Sequence, residues 1–299
     1  MIEQLILKGL NHKITHKKAK LPYCNHPDLP PFYFTYASVG MKNSGKSYAI
    51  VSLISLYEKY GIKNGKGEDM KIRTIWCSPT ANMASNTVIK TIKSLHEDDI
   101  HENVTEELLK EIFDEIVKEK EKLLVKDEYI KCYKRFMKLK NPMYLKDIEI
   151  MILSQYDYEK PSIVFKGLVD KIYFLVLDDL IGQSNSIFGM KKNNFINNLT
   201  IKHRHYGINL IYAVQQIKYI PPIIRANLDI IQLFKSASSK VLESYYEEVS
   251  NILTFDEFLQ LFQYCIDQKY GSLLINNHQS APHRFLLNFH TALSINGKH

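Results

Sequence analysis

The stretch that decides the fold is FYFTYASVGMKNSGKSYAIVSLISLYEKYG, Phe32 to Gly61. Its opening run, Phe32 to Val39, is aromatic and β-prone, as a buried strand would be. From Lys46 onward the apolar residues change period: Ile50, Val51, Ile54 and Tyr57 fall on one side of a helix, and Gly61 is a stop signal. Between strand and helix stands G-x-x-x-x-G-K-S, Gly40 to Ser47. In that context the glycines allow backbone N–H groups to turn inward around phosphate oxygens at a helix N-terminus. The expected cradle is Gly40, Met41, Lys42, Asn43, Ser44, Gly45, Lys46, Ser47 and the following Tyr48. Lys46 would reach the β and γ phosphates of a nucleoside triphosphate, and the Ser47 hydroxyl would ligate Mg²⁺.

A second element carries the acids such a site needs. KIYFLVLDDLIG, Lys171 to Gly182, is an apolar run ending in two aspartates, the pattern of a parallel strand buried on both faces whose carboxyl end opens onto a nucleotide. It reads as a Walker B strand. Asp178 would hold Mg²⁺, directly or through water, and Asp179 would polarise the attacking water. Asp179-Leu-Ile-Gly182 also fits the D-x-x-G of GTPase switches, but no guanine-reading N-K-x-D occurs in the chain. An Arg-rich lid of the kind small-molecule kinases use is missing after the Walker B strand.

A third element, Thr200 to Lys235, contains another buried strand, INLIYAV, ending at Gln215. That is where ATPases with an additional strand place a polar sensor, with Gln216 as the adjacent alternative. Arg204 lies just before this strand, and Arg225 follows a Pro-Pro turn. The chain has only five arginines among its 39 basic residues, so an arginine here points to a place where a planar fork matters. Either could be offered to a neighbouring subunit's γ-phosphate, with Arg204 the first choice.

Composition sets the frame around these motifs. The chain has 299 residues, 45% of them hydrophobic, enough for a large core. Its four cysteines, Cys24, Cys77, Cys132 and Cys265, form no C-x-x-C pair, which fits a reducing compartment. No apolar run approaches a membrane span and Met1 to Leu10 lacks signal-peptide order, so a soluble, intracellular protein without membrane insertion is expected. The net charge of +7 favours a polyanionic partner. Residues 1–31 read as a basic extension preceding an ATPase domain over 32–299; His12, His16, Cys24 and His26 in that extension follow no zinc spacing. KIRTIWCSP, Lys71 to Pro79, reads as the next strand of the core. The charged stretch from about 82 to 140 reads as an inserted helical pair, with Leu108, Leu109, Ile112, Ile116, Leu123 and Leu124 at helical spacing. Packing alone, DNA or a neighbouring subunit are all open as its role.

Taken in order, VGMKNSGKS, FLVLDDL, KHRHYGINLIYAVQQ and IPPIIRANLDIIQLF resemble the poxvirus-type genome-packaging ATPases of nucleocytoplasmic large DNA viruses and virophage-like elements, within the FtsK–HerA superfamily. The R-H-Y-x-I-x-L-x-x-x-x-Q block, Arg204 to Gln215, is more specific than the glycine loop. The ending, about 241–290, is similar to that family's terminal helix and β-hairpin. The resemblance implies an α/β fold of the ASCE P-loop type: a mainly parallel central sheet flanked by helices. It also implies a homo-oligomeric ring with ATP and Mg²⁺, pumping double-stranded DNA without sequence preference into a preformed capsid, alongside a capsid or portal component. By position, Gly40, Gly45, Lys46 and Ser47 match Walker A, Asp178 and Asp179 match Walker B, Gln215 matches the sensor, and Arg204 matches the arginine before the sensor strand. The implied setting is the host cytoplasm or a viral factory, with association with the virion left open. A cellular HerA- or FtsK-like translocase or helicase is the alternative within the superfamily. A capsid assembly protein stabilised by nucleotide, without motor activity, is the alternative outside it. The 82–140 stretch and the N-terminal arm match no part of the family pattern.

Overall fold

A computed structural model describes residues 21–26, 29–81, 84–139, 142–180, 194–235, 239–248, 252–279 and 283–294. His12, His16, Gly182 and most of the basic extension lie outside them.

In chain order, β1 (Tyr23–Cys24) precedes β2 (Thr35–Val39), which leads through the glycine loop into α1 (Lys46–Tyr60). Then come β3 (Ile62–Lys63), β4 (Asp69–Cys77), a 3₁₀ turn at Ala84–Thr91, β5 (Leu95–His101) and α2 (Glu106–Leu139). Two shorter helices, α3 (Asp147–Ser154) and α4 (Pro161–Val164), lead to β6 (Lys171–Asp178). The sequence continues with α5 (Phe195–Lys202), β7 (Ile208–Val214), α6 (Pro222–Arg225) and β8 (Ile230–Leu233). It closes with α7 (Ser239–Glu247), α8 (Phe255–Ile266), β9 (Leu273–Asn276), β10 (Phe285–Leu287) and β11 (Thr291–Ala292).

Strands β5, β4, β6, β7, β2 and β8 lie side by side and parallel. The strand that leads to Gln215, β7, is inserted between β2 and β6, with Val39 opposite Val214 and Asp178 opposite Ala213. This is the additional-strand order of a P-loop NTPase, and it brings the ends of β2, β6 and β7 together. Beyond β8 the sheet continues antiparallel through β9, β10 and β11, with α8 leading into β9.

Alternate residues of the central strands serve two cores. Val39, Leu175, Leu177, Leu210 and Tyr212 pack with Ile112 and Ile116 of α2, Leu199 of α5 and Phe262 of α8. Tyr36, Phe174, Val176 and Ile211 pack with Ile50, Ile54 and Tyr57 of α1. Covering both faces explains why β6 and β7 are apolar runs rather than alternating ones. Asn209 is the buried polar residue within β7: its side-chain oxygen accepts from the N–H of Tyr33 at 2.8 Å and its amide donates to the Tyr173 carbonyl at 3.1 Å. It ties the start of β7 to the chain on both sides.

The 82–140 stretch differs from a helical pair. Leu95–His101 forms an edge strand beside β4, and a single 34-residue helix follows. LHEDDIH can carry charge in a strand because Glu97 and Asp98 face solvent and the buried Asp99 is neutralised from the sheet: Arg73 of β4 donates to Asp99 at 2.8 Å and to Glu115 of α2 at 2.8 Å. The first half of α2 packs on the sheet through Leu109, Ile112 and Ile116. Further along, the seam moves to Tyr129 and Cys132, which with Leu145 and Leu153 make a separate small core, and Leu124 faces solvent. Among the described residues no helix is long and apolar enough to cross a membrane.

Candidate nucleotide site

The glycine loop is built by the sheet beneath it. Gly40 donates its N–H to the Val214 carbonyl at 3.1 Å, and Met41 donates to the Lys235 carbonyl at 3.3 Å, so the loop springs from between the ends of β7 and β8. Gly40 has no room for a side chain: a Cβ there would lie 2.5 Å from Phe234 Cβ and 2.8 Å from Ser44 Oγ. At Gly45 the requirement is conformational, since its φ of 104° lies in the region open to glycine. Asn43 also has a left-handed φ, of 61°, which asparagine tolerates. Met41, Lys42, Asn43 and Tyr48 are exposed around the loop, whereas Ser44, Gly45 and Ser47 are half-buried.

Lys46 is buried and folds back over the loop, donating to the carbonyls of Gly40 at 2.9 Å and Met41 at 3.1 Å. Burial lowers its pKa, and the negative charges of Asp179 and Asp178 oppose that effect. The ammonium therefore sits between a carbonyl-lined loop and two carboxylates, facing the volume that phosphates would fill.

Asp178 ends β6 and is only 4% exposed. Burial, reinforced by the charge of Asp179, pushes its pKa up to about 7, against the pull of Lys46, the Trp76 indole and the Ser47 hydroxyl. The Trp76 N–H has no well-formed hydrogen bond among the described residues, but it lies close enough to favour the Asp178 anion. Lys46 and the neighbouring donors offset the burial of this carboxylate only in part. With Ser47 beside it, Asp178 offers the donor set Mg²⁺ ordinarily uses: one carboxylate and a hydroxyl, the remaining positions going to phosphates and water. The residues fit the ion.

Asp179 follows with φ 48°, and its N–H donates to the Ala213 carbonyl at 3.1 Å. The left-handed turn takes its side chain out of the alternation of β6 and leaves it half-buried near Lys46. Strain of this kind collects at functional sites. Gln215, exposed, comes directly after Val214, between the loop on one side and the two aspartates on the other. Gln216 is half-buried and opens the next turn.

Arg204 and Arg225 stand apart from this group. Both precede strands, so they lie at the opposite end of the sheet, about 16 Å away along a five-residue strand. There a polar cleft of about 520 Å³ is lined by both arginines with Asp229, Glu248, His278 and Arg284. Arg204 is 55% exposed and donates to Asp229 at 2.7 Å; Arg225 is 20% exposed and paired with Glu248. Neither meets the glycine loop of its own chain.

Sequence reasoning passed over Trp76, Asp229 and His278. Trp76 looked like another apolar residue of a strand, and Asp229 and His278 carry no motif. Only the register of β2, β8 and β9 brings the last two together.

No protein-family model matches the sequence, and neither does any curated protein. Among solved structures, the chain is similar to the genome packaging NTPase B204 from Sulfolobus turreted icosahedral virus 2, at 13% identity and a TM-score of 0.47, over 87% of this chain and 97% of that one. It is similar to the DNA-packaging ATPase B204 from Sulfolobus Turreted Icosahedral Virus, at 13% identity and a TM-score of 0.43, over 81% and 92% of the two chains. A third likeness is to ATPases 2 and 3 of EssC from Geobacillus thermodenitrificans, at 14% identity and a TM-score of 0.41, over 85% of this chain and 38% of that one. These likenesses are distant, and the functional reading rests on the residues of the site.

Proposed function

We propose that the chain is an ATPase that drives double-stranded DNA into a preformed viral capsid, working as a homo-oligomeric ring in the host cytoplasm or viral factory. The observation that carries the hydrolytic half is the convergence of Lys46, Ser47, Asp178, Asp179 and Gln215 at one end of the sheet. The half that concerns DNA and the capsid is supported by the resemblance of the Arg204–Gln215 block and its neighbours to packaging ATPases. A net charge of +7 is compatible with a phosphate backbone as partner.

In this reading the loop N–H groups and Lys46 bind the triphosphate, Lys46 exchanging the Gly40 and Met41 carbonyls for phosphate oxygens. Asp178 and Ser47 would hold Mg²⁺, which when bound neutralises phosphate charge. Asp179 accepts a hydrogen bond from the attacking water and aligns it with the terminal phosphate. Gln215 reports whether that phosphate is present.

Arg204 serves the neighbouring subunit's site. Its position at the far end of the sheet suits a residue acting in trans, and its exposure favours it over Arg225, which is mostly buried and held by Glu248. Hydrolysis then depends on assembly.

The test is steady-state ATP hydrolysis with and without long double-stranded DNA. DNA should stimulate turnover, Lys46→Ala should abolish it, and substoichiometric Arg204→Ala should poison the wild type beyond simple dilution. Turnover indifferent to DNA in an assembled ring overturns the motor.

A further inference from the structure

The two flanks of the glycine loop differ. Asp178, Asp179 and Gln215 reach it from β6 and β7, on one side of β2. On the other side lie β8 and, antiparallel to it, β9. Because Leu233 pairs with Leu273, β9 starts at the loop end of the sheet, and the residues just before it pass beside Gly40–Ser47.

That passage is held tightly. A Cβ on Gly271 would lie 1.9 Å from the Cys265 carbonyl oxygen, so the chain there packs directly against the end of α8. Its neighbour Tyr270 has a φ of 61°, a left-handed conformation rarely taken by a bulky residue. Glycine or asparagine would occupy such a turn with less strain. The ring so placed is 65% exposed, yet it lies against the loop: a Cβ on Gly45 would be 3.9 Å from Tyr270 Cδ1 and 3.6 Å from Phe234 Cε1. This large exposed aromatic, held in strained backbone beside the phosphate cradle, belongs to no part of the core, and the Lys269 ammonium lies 5.3 Å from its centre.

A triphosphate seated in the loop with its reacting end toward Asp179 and Gln215 directs its nucleoside to the opposite flank, toward β8 and β9. We infer that Tyr270 is the platform on which the base of the bound nucleotide stacks. This rests on the reading of the glycine loop as a triphosphate site, and adds to it how the base is held and selected. Stacking on a ring face responds to the area of the base rather than to its hydrogen-bonding edge. Purine nucleotides are therefore held more tightly than pyrimidine ones, and ATP and GTP about equally.

The experiment measures binding of ATP, GTP, CTP and inorganic tripolyphosphate, which has the phosphate chain but no base, to the full chain and its variants. Base stacking on an aromatic corresponds to roughly a tenfold or greater change in affinity, so Tyr270→Ala should weaken ATP and GTP by about that factor. CTP should weaken less, and tripolyphosphate should be unaffected. Tyr270→Phe should bind as the wild type does. Since Ala is strained at this φ, Tyr270→Asn should reproduce the loss with a thermal unfolding midpoint at or above the wild type. Lys46→Ala should weaken all four ligands. Unchanged ATP affinity in Tyr270→Ala and Tyr270→Asn overturns the inference, as does an equal loss for ATP and tripolyphosphate, which would make Tyr270 a prop for the loop. If the wild type binds neither ATP nor tripolyphosphate, the reading of the glycine loop fails, and the stacking platform with it.

Discussion

Arg204 and Asp229 are joined at 2.7 Å although each precedes a different strand, β7 and β8, and β2 runs between those strands. The same carboxylate accepts the N–H of Thr35 at 2.6 Å and faces His278. One buried acid thus gathers the entrances of three parallel strands. The two partners of the pair should behave differently when removed. Arg204→Ala takes away a cation that is itself half-exposed but leaves the buried Asp229 carboxylate to Thr35 and His278, and should cost about 1–2 kcal/mol in chemical denaturation, less than loss of the acid. Asp229→Ala leaves the buried Thr35 N–H without an acceptor and should cost roughly 2–3 kcal/mol. A large loss for Arg204→Ala would show that the arginine holds the fold and is not held in reserve for a partner.

The ionised form of Asp178 costs the folded protein stability. Its pKa of about 7 lies above the ordinary carboxylate value of 3.8, so between those values the folded state holds a proton that the unfolded state has released. Stability of the metal-free protein therefore falls as pH rises from about 4 to 7 and is flat above. Asp178→Asn should remove that dependence, raising stability at pH 8 by at most ~4 kcal/mol while giving no gain at pH 4. Urea denaturation of both proteins at the two pH values, in chelator, reads it directly, and turnover by the variant should be lost.

At Gly40 the constraint is space. A methyl group directed at Phe234 and Ser44 cannot be relieved by a flexible side-chain end, because Phe234 Cβ and Cα are both within 3.4 Å of it. Gly40→Ala should destabilise the protein by about 1–3 kcal/mol and weaken nucleotide binding, since the loop must move to accept it. Thermal unfolding and tripolyphosphate titration of the variant are the measurements.

Asn209 separates what a strand's apolar pattern can tell from what it cannot. The run INLIYAV announces a buried strand, and the asparagine within it looks like a blemish. In the fold its amide joins Tyr33, Phe34 and Tyr173 across both neighbours of β7. Asn209→Leu should therefore cost about 2–4 kcal/mol despite the more hydrophobic residue, because it strands buried backbone groups.

The parts legible in the sequence were those whose chemistry is local. Strand, loop and helix around Gly40–Ser47 follow from a change of period and two glycines, and the aspartates at the end of β6 follow from an apolar run that stops. The order of β2, β7 and β6 was legible through the polar residue after INLIYAV, because a sensor there needs β7 between the other two. What escaped depends on partners distant in the chain. LHEDDIH can pair as an edge strand because Arg73, 26 residues from Asp99, neutralises the one acid that is buried. Asp229 and His278 meet across 49 residues through the pairing of β8 with β9. Tyr270 has no motif, and its left-handed φ is fixed by how α8 turns into β9.

Asp179 combines a proposed role with an awkward backbone. Its φ of 48° is one that asparagine accepts as readily as aspartate, so Asp179→Asn should fold with unchanged stability or a small gain. The amide also removes the negative charge that helps hold up the pKa of Asp178, so the Asp178 carboxylate should ionise at lower pH in the variant. Nucleotide binding should be kept, because Lys46 and the loop are untouched. Turnover should fall by about 10²–10⁴-fold if Asp179 acts on the attacking water, since an amide cannot take up a proton in the transition state. Single-turnover hydrolysis, measured beside equilibrium binding of ATP, separates these effects: weak binding with normal chemistry would place Asp179 among the ligands of the nucleotide and not at the reacting water.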